Sequence, residues 1–70
     1  MNTNSKWCQG LFQSLNDKGR WVVPRSGLIF ERRGNKLILV QSLPMEDENF
    51  QVLDFMAIKH EFGVAGITVE

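Results

Sequence analysis

The chain is short of every covalent or metallic staple. It holds one cysteine, Cys8, so no disulfide can close within it. Cys8 and the single histidine, His60, are its only soft metal ligands, whereas a structural zinc site needs about four. No metal site and no cofactor are expected. No unbroken apolar run exceeds the four residues of Leu37 to Val40, against the ~20 that a membrane-spanning helix requires. Met1 to Lys6 is followed by no apolar stretch of the kind a signal peptide carries. A lone cysteine fits a reducing compartment, and the expected location is cytoplasmic, away from membranes. Gly27 and Gly34 sit in turns and not in a glycine-rich loop that feeds a helix, so no nucleotide-binding fingerprint is present.

What remains is one small domain of 70 residues. A chain of this size buries only about 60% of the surface exposed by its unfolded form. With disulfides and metals excluded, association with a second copy or a protein partner is the remaining source of extra stability.

Charge is balanced in total and uneven along the chain. Residues 1–42 carry a formal +5, from Lys6, Lys18, Arg20, Arg25, Arg32, Arg33 and Lys36 against Asp17 and Glu31. Residues 43–70 carry −5, with Lys59 against Glu46, Asp47, Glu48, Asp54, Glu61 and Glu70. Such halves are either solvated faces whose fields cancel, or surfaces that meet an anion or each other.

The clearest local signal lies in residues 28–41, two β-forming runs around Gly34-Asn35. Gly34 can supply a positive φ, Asn35 tolerates one, and a two-residue loop of this kind matches the twist of the flanking strands. Residue i then faces residue 69 − i, which opposes Arg33 to Lys36, Phe30 to Leu39 and Ile29 to Val40.

Upstream, Met1–Asn4 is expected to be disordered, with a domain running from residue 5 to residue 70. Ser5 is the expected N-cap of a helix ending near Asn16, since Trp7, Cys8, Leu11, Phe12 and Leu15 recur at helical spacing. Gly19 suits a left-handed position after it. Trp21–Val23 reads as a strand that stops at Pro24. Downstream, an acidic opening at Met45–Asn49 precedes a segment ending at Gly63, with Phe50, Leu53, Met56, Ala57 and His60 on one helical face. A strand also fits the segment, with Asp54 as the misfit; the acidic start, the length and the glycine stop favour the helix. Val64–Val69 supplies a last strand weakened by Gly66. The expected fold is therefore α+β, in the order α-β-β-β-α-β, with a three- to four-stranded, mostly antiparallel sheet.

Both faces of the hairpin are apolar. Leu28, Phe30, Leu37 and Leu39 share one, and Ile29, Ile38 and Val40 share the other. A sheet with one solvated face alternates apolar with polar. Either the helices cover opposite faces, or both cover one and a second subunit covers the other; one of these sets would then be an intersubunit surface.

No chemistry is named by the remaining residues. Cys8 and His60 are the only nucleophile–base pairing on offer, and neither has a signature around it. No catalytic residue is assigned and no enzymatic activity is expected. Arg20, Arg25, Arg32, Arg33 and Lys36, interleaved with Trp21 and Phe30, could track a phosphate backbone. The pI near 6.6 is far below that of typical nucleic-acid modules. Ile58–Val69 has the cadence of a helix-turn-helix, but Gly66 would interrupt a recognition helix only a few residues long. The expectation is a small non-enzymatic interaction or regulatory module that self-associates or binds a protein, with nucleic-acid binding by the basic hairpin as the alternative.

Overall fold

The computed structural model describes residues 3–70, with side chains from Lys6 onward. Its elements are α1 (Thr3–Ser14), β1 (Arg20–Val23), β2 (Leu28–Arg33), β3 (Lys36–Ser42), α2 (Glu48–Val64) and β4 (Thr68–Val69). The order and the α+β class are those expected. The sheet runs β1-β2-β3-β4, antiparallel through β3 and parallel between β3 and β4.

Met1 and Asn2 of the expected disordered N-terminus lie outside the described residues. Thr3 and Asn4 are already helical, so Ser5 sits inside α1 and does not cap it. The helix also stops two residues before Asn16. There the residue with positive φ is Lys18 (69°), not Gly19. Gly19 serves space instead: a Cβ on it would stand 2.8 Å from the Asn16 carbonyl oxygen.

The 69 − i register holds from Arg33–Lys36 to Phe30–Leu39. Beyond it a bulge shifts the ladder, so Ile29 pairs with Gln41 and not with Val40. At the tip, Gly34 has φ +63° and Asn35 stays on the negative side, which suits a turn needing a positive φ only at its first position.

Asp47 caps α2, its side chain accepting the Phe50 N–H at 3.3 Å. The helix runs past Gly63 and closes at Gly66 (φ +87°). The Ile67 N–H donates to the Phe62 carbonyl at 2.8 Å and the Gly66 N–H to that of Gly63 at 3.0 Å. This is the Schellman closure, with Ile67 packed in the same core as Phe62. Gly66 therefore ends a helix and does not weaken a strand, which is why the expected strand at 64–69 shrinks to Thr68–Val69.

Both helices cover one face of the sheet. Cys8 and Phe12 of α1 and Ile58 and Phe62 of α2 share a core with Leu28, Phe30 and Leu37. That set, with Leu39 packed against it, is internal and cannot be an intersubunit surface. Ile29 is buried but stands outside this core, and Ile38 and Val40 are half-buried. Being one ladder step from Phe30 and Leu39, Ile29 and Ile38 belong to the face that neither helix covers.

The phase of α2 differs from the expected one. Its buried residues are Asp54, Ile58 and Phe62. The expected inward face (Phe50, Leu53, Met56, Ala57 and His60) is exposed.

Candidate protein-contact surfaces

The inner side of α2 is held by a polar cluster. The Asp54 carboxylate is buried and accepts from the Arg25 guanidinium through Nε (3.0 Å) and Nη2, and from the buried Ser26 hydroxyl at 2.6 Å. Gln51 Nε2 donates to the carbonyls of Ser26 and Leu43, each at 2.8 Å. The turn between β1 and β2 is thereby pinned to α2, and Asp54 holds the proton of Arg25 more firmly than usual. A charge can be buried here because every acceptor it exposes is met.

The five basic residues considered for nucleic acid all face acceptors of their own chain. Arg33 and Arg20 share Glu31, Nε to carboxylate at 2.8 and 3.2 Å. Their hydrogen bonds, Arg33's first, hold the Glu31 carboxyl below its ordinary range against the opposing effect of burial. Arg25 faces Asp54. Arg32 Nη1 donates to the carbonyls of Phe12 (2.9 Å) and Leu15 (2.7 Å), closing the C-terminal end of α1. Lys36 Nζ lies 3.4 Å from Glu70. At the hairpin tip Asp17 accepts the Gly34 N–H at 3.0 Å, placing an acid among the cations. Two of these pairs, Arg25–Asp54 and Lys36–Glu70, join the basic and acidic halves of the chain.

Cys8 and His60 are not brought together. Cys8 is fully buried, and burial, reinforced by the charge of Glu61, pushes its thiol pKa up. His60 is exposed, and at about 100° per residue it lies on the opposite side of α2 from Ile58 and Phe62. No group of three or more metal-ligating side chains occurs among the described residues, and no helix there is long and apolar enough to cross a membrane.

Besides the sheet face of Ile29 and Ile38 that neither helix covers, two further open surfaces stand out. One is the outer side of α2, where Leu53 (65% exposed), Met56 (60%), Val64 (56%) and Phe50 (38%) leave apolar side chains in water. Phe50, Leu53, Ala57, His60 and Val64 follow one another at spacings of three and four, the repeat of a helix–helix seam. The other is a groove of about 540 Å³ between β1 and α2, lined by Trp7, Trp21, Val23, Ile58, Glu61 and Phe62, with Pro24 and Arg25 at its end. Trp7 and Trp21 meet edge to face at 5.9 Å, and each lies within 6.1 Å of the Phe62 ring.

Sequence reasoning missed the Arg25–Ser26–Asp54 cluster. Its one signal was Asp54, a lone acid in the otherwise apolar stretch Val52–Ile58. No protein-family model, curated protein or solved structure matches the chain, so its surfaces are the only guide to its role.

Proposed function

We propose that the chain is a non-enzymatic interaction module that works through protein contacts, including pairing with a second copy along the outer side of α2. The observation that carries this reading is the exposed apolar seam from Phe50 to Val64. Large apolar residues stand on both the inner and the outer side of α2, and the sheet and α1 cover only the inner one. Large exposed apolar patches on small proteins commonly mark contact sites.

An antiparallel partner helix suits the seam. It sets Leu53 opposite Ala57, large against small, and Phe50 opposite His60, and it brings the acidic start of α2 (Glu46, Asp47, Glu48) toward the end that carries Lys59. A parallel partner would stack acid on acid. The buried thiol of Cys8 fits a reducing, cytoplasmic setting. The basic hairpin supports nucleic-acid binding less well, because its cations already face Glu31, Asp54, Glu70 and the α1 carbonyls.

Sedimentation equilibrium from low to high micromolar concentration tests the proposal. The expected mass rises to that of a dimer, and the double variant Leu53→Lys, Met56→Lys stays monomeric with an unchanged fold by circular dichroism. A wild-type chain that remains monomeric at high micromolar concentration would overturn the pairing. A gel shift at low salt that is lost on replacing Arg32, Arg33 and Lys36 together would favour nucleic acid instead.

A further inference from the structure

The groove between β1 and α2 coincides with an unpaired sheet edge. β1 is the terminal strand of the sheet. The Arg32 N–H donates to the Gly19 carbonyl at 2.8 Å, and the Val23 carbonyl accepts from Gly27 in the turn toward β2. Antiparallel ladders alternate, so the Gly19 carbonyl and the backbone groups of Trp21 and Val23 turn toward β2, while Arg20 and Val22 turn theirs to the open edge. Trp21 and Val23 project into the groove. An edge strand flanked by a helix, with an apolar trough between them, is the layout in which an extended chain can add a strand and seat alternate side chains.

The charges lining the groove point to the chemistry of the occupant. Arg25 is ion-paired with Asp54. Glu61 lines the groove, is half-buried, and has no cation within 4.0 Å among the described residues. The unbalanced charge is thus negative and stands beside two tryptophan rings, whose faces attract cations.

We propose that an extended segment of a partner protein adds to the β1 edge through the backbone of Arg20 and Val22. It seats an apolar and a basic side chain in the groove, the basic one against Glu61. Strand β1 is short, begins with a charge and is followed by Pro24; these are features that discourage indiscriminate edge pairing and leave a short, selective contact. The site is distinct from the outer seam of α2, because Ile58 and Phe62 project from the other side of that helix, while Glu61 lies at the border between the two, one turn below Ala57.

The test uses the full chain and a blocked peptide, acetyl-Thr-Val-Thr-Lys-Thr-Leu-Thr-amide, with tryptophan fluorescence and amide exchange as readouts. The expected result is a saturable fluorescence change with slowed exchange of the Arg20 and Val22 amides. Binding should weaken by about tenfold in Glu61→Gln, and likewise when the peptide lysine is replaced by glutamate. Absence of saturation at millimolar peptide, equal binding of the glutamate peptide, or shifts confined to Leu53 and its neighbours would overturn the proposal. Protection of Arg20 and Val22 that rises with protein concentration alone would assign the edge to a second copy and would also overturn it.

Discussion

Arg32 and Phe12 are joined twice: the guanidinium carbon lies 4.2 Å above the Phe12 ring, and Nη1 donates to the Phe12 carbonyl at 2.9 Å. A side chain that reads in sequence as part of a basic hairpin tip is therefore a cap on the first helix. It satisfies carbonyls that a helix end leaves open and places positive charge at the negative end of the dipole. Arg32→Ala is expected to cost about 1–2 kcal/mol of stability. Arg32→Lys should recover only part of it, since an ammonium cannot reproduce the planar fork. Urea denaturation checks both; an unchanged midpoint for Arg32→Ala would show that the cap carries no weight.

Asp54 is held by Arg25 and Ser26 of the turn between β1 and β2, and its loss strands a buried hydroxyl. Asp54→Ala leaves Ser26 without its acceptor, while the exposed Arg25 can turn to water. The expected loss is about 1–3 kcal/mol, below the cost of orphaning a fully buried charge. Ser26→Ala in the same background should add little, because the two changes remove one interaction. Additive losses in the four-way comparison would argue against a coupled cluster.

Acid should weaken the fold partly through Glu31. Its folded pKa lies below its ordinary value of 4.5 because of Arg33 and Arg20. Its ionised form therefore adds stability above that value, and the contribution fades as pH falls through the folded pKa. The melting temperature of Glu31→Gln, measured from neutral pH down into strong acid, should fall less steeply below pH 4.5 than that of the wild-type chain. Parallel curves would remove Glu31 from the acid response.

Three glycines should respond to alanine with different signs. Gly10 lies within α1, where an added Cβ would meet nothing within 4 Å, so Gly10→Ala should stabilise by about 0.5–1 kcal/mol. Gly66→Ala forces a left-handed φ on a residue with a Cβ and should cost about 1–2 kcal/mol. Gly19→Ala meets the Asn16 backbone at 2.8 Å and should also destabilise. Thermal melts of the three variants check the ordering.

The meander and the element order were legible because they rest on local chemistry: Gly34 at a turn, β-branched runs on either side, Pro24 after a strand. The phase of α2 was not legible. Both sides of that helix are apolar, so periodicity alone could not choose between Phe50–Leu53–Ala57 and Phe55–Ile58–Phe62. The deciding residue was Asp54, whose burial depends on Arg25 and Ser26, 29 and 28 positions earlier. Gly63 and Gly66 were confused for a similar reason, since only the closed turn shows which carbonyl each amide reaches. The groove could not be foreseen either, because it needs Trp7, Trp21 and Glu61 brought together from three elements.

Glu31 has a consequence for alignment. Leu28, Ile29 and Phe30 are interchangeable enough in size and polarity that β2 could slide by one residue and keep an apolar face against the helices. The slide would turn every side chain over and carry the Glu31 carboxylate, with Arg33, beneath α1 and α2, away from Arg20 on β1. One acid among apolar neighbours thus works as a key, admitting a single setting of the strand and rejecting the adjacent one.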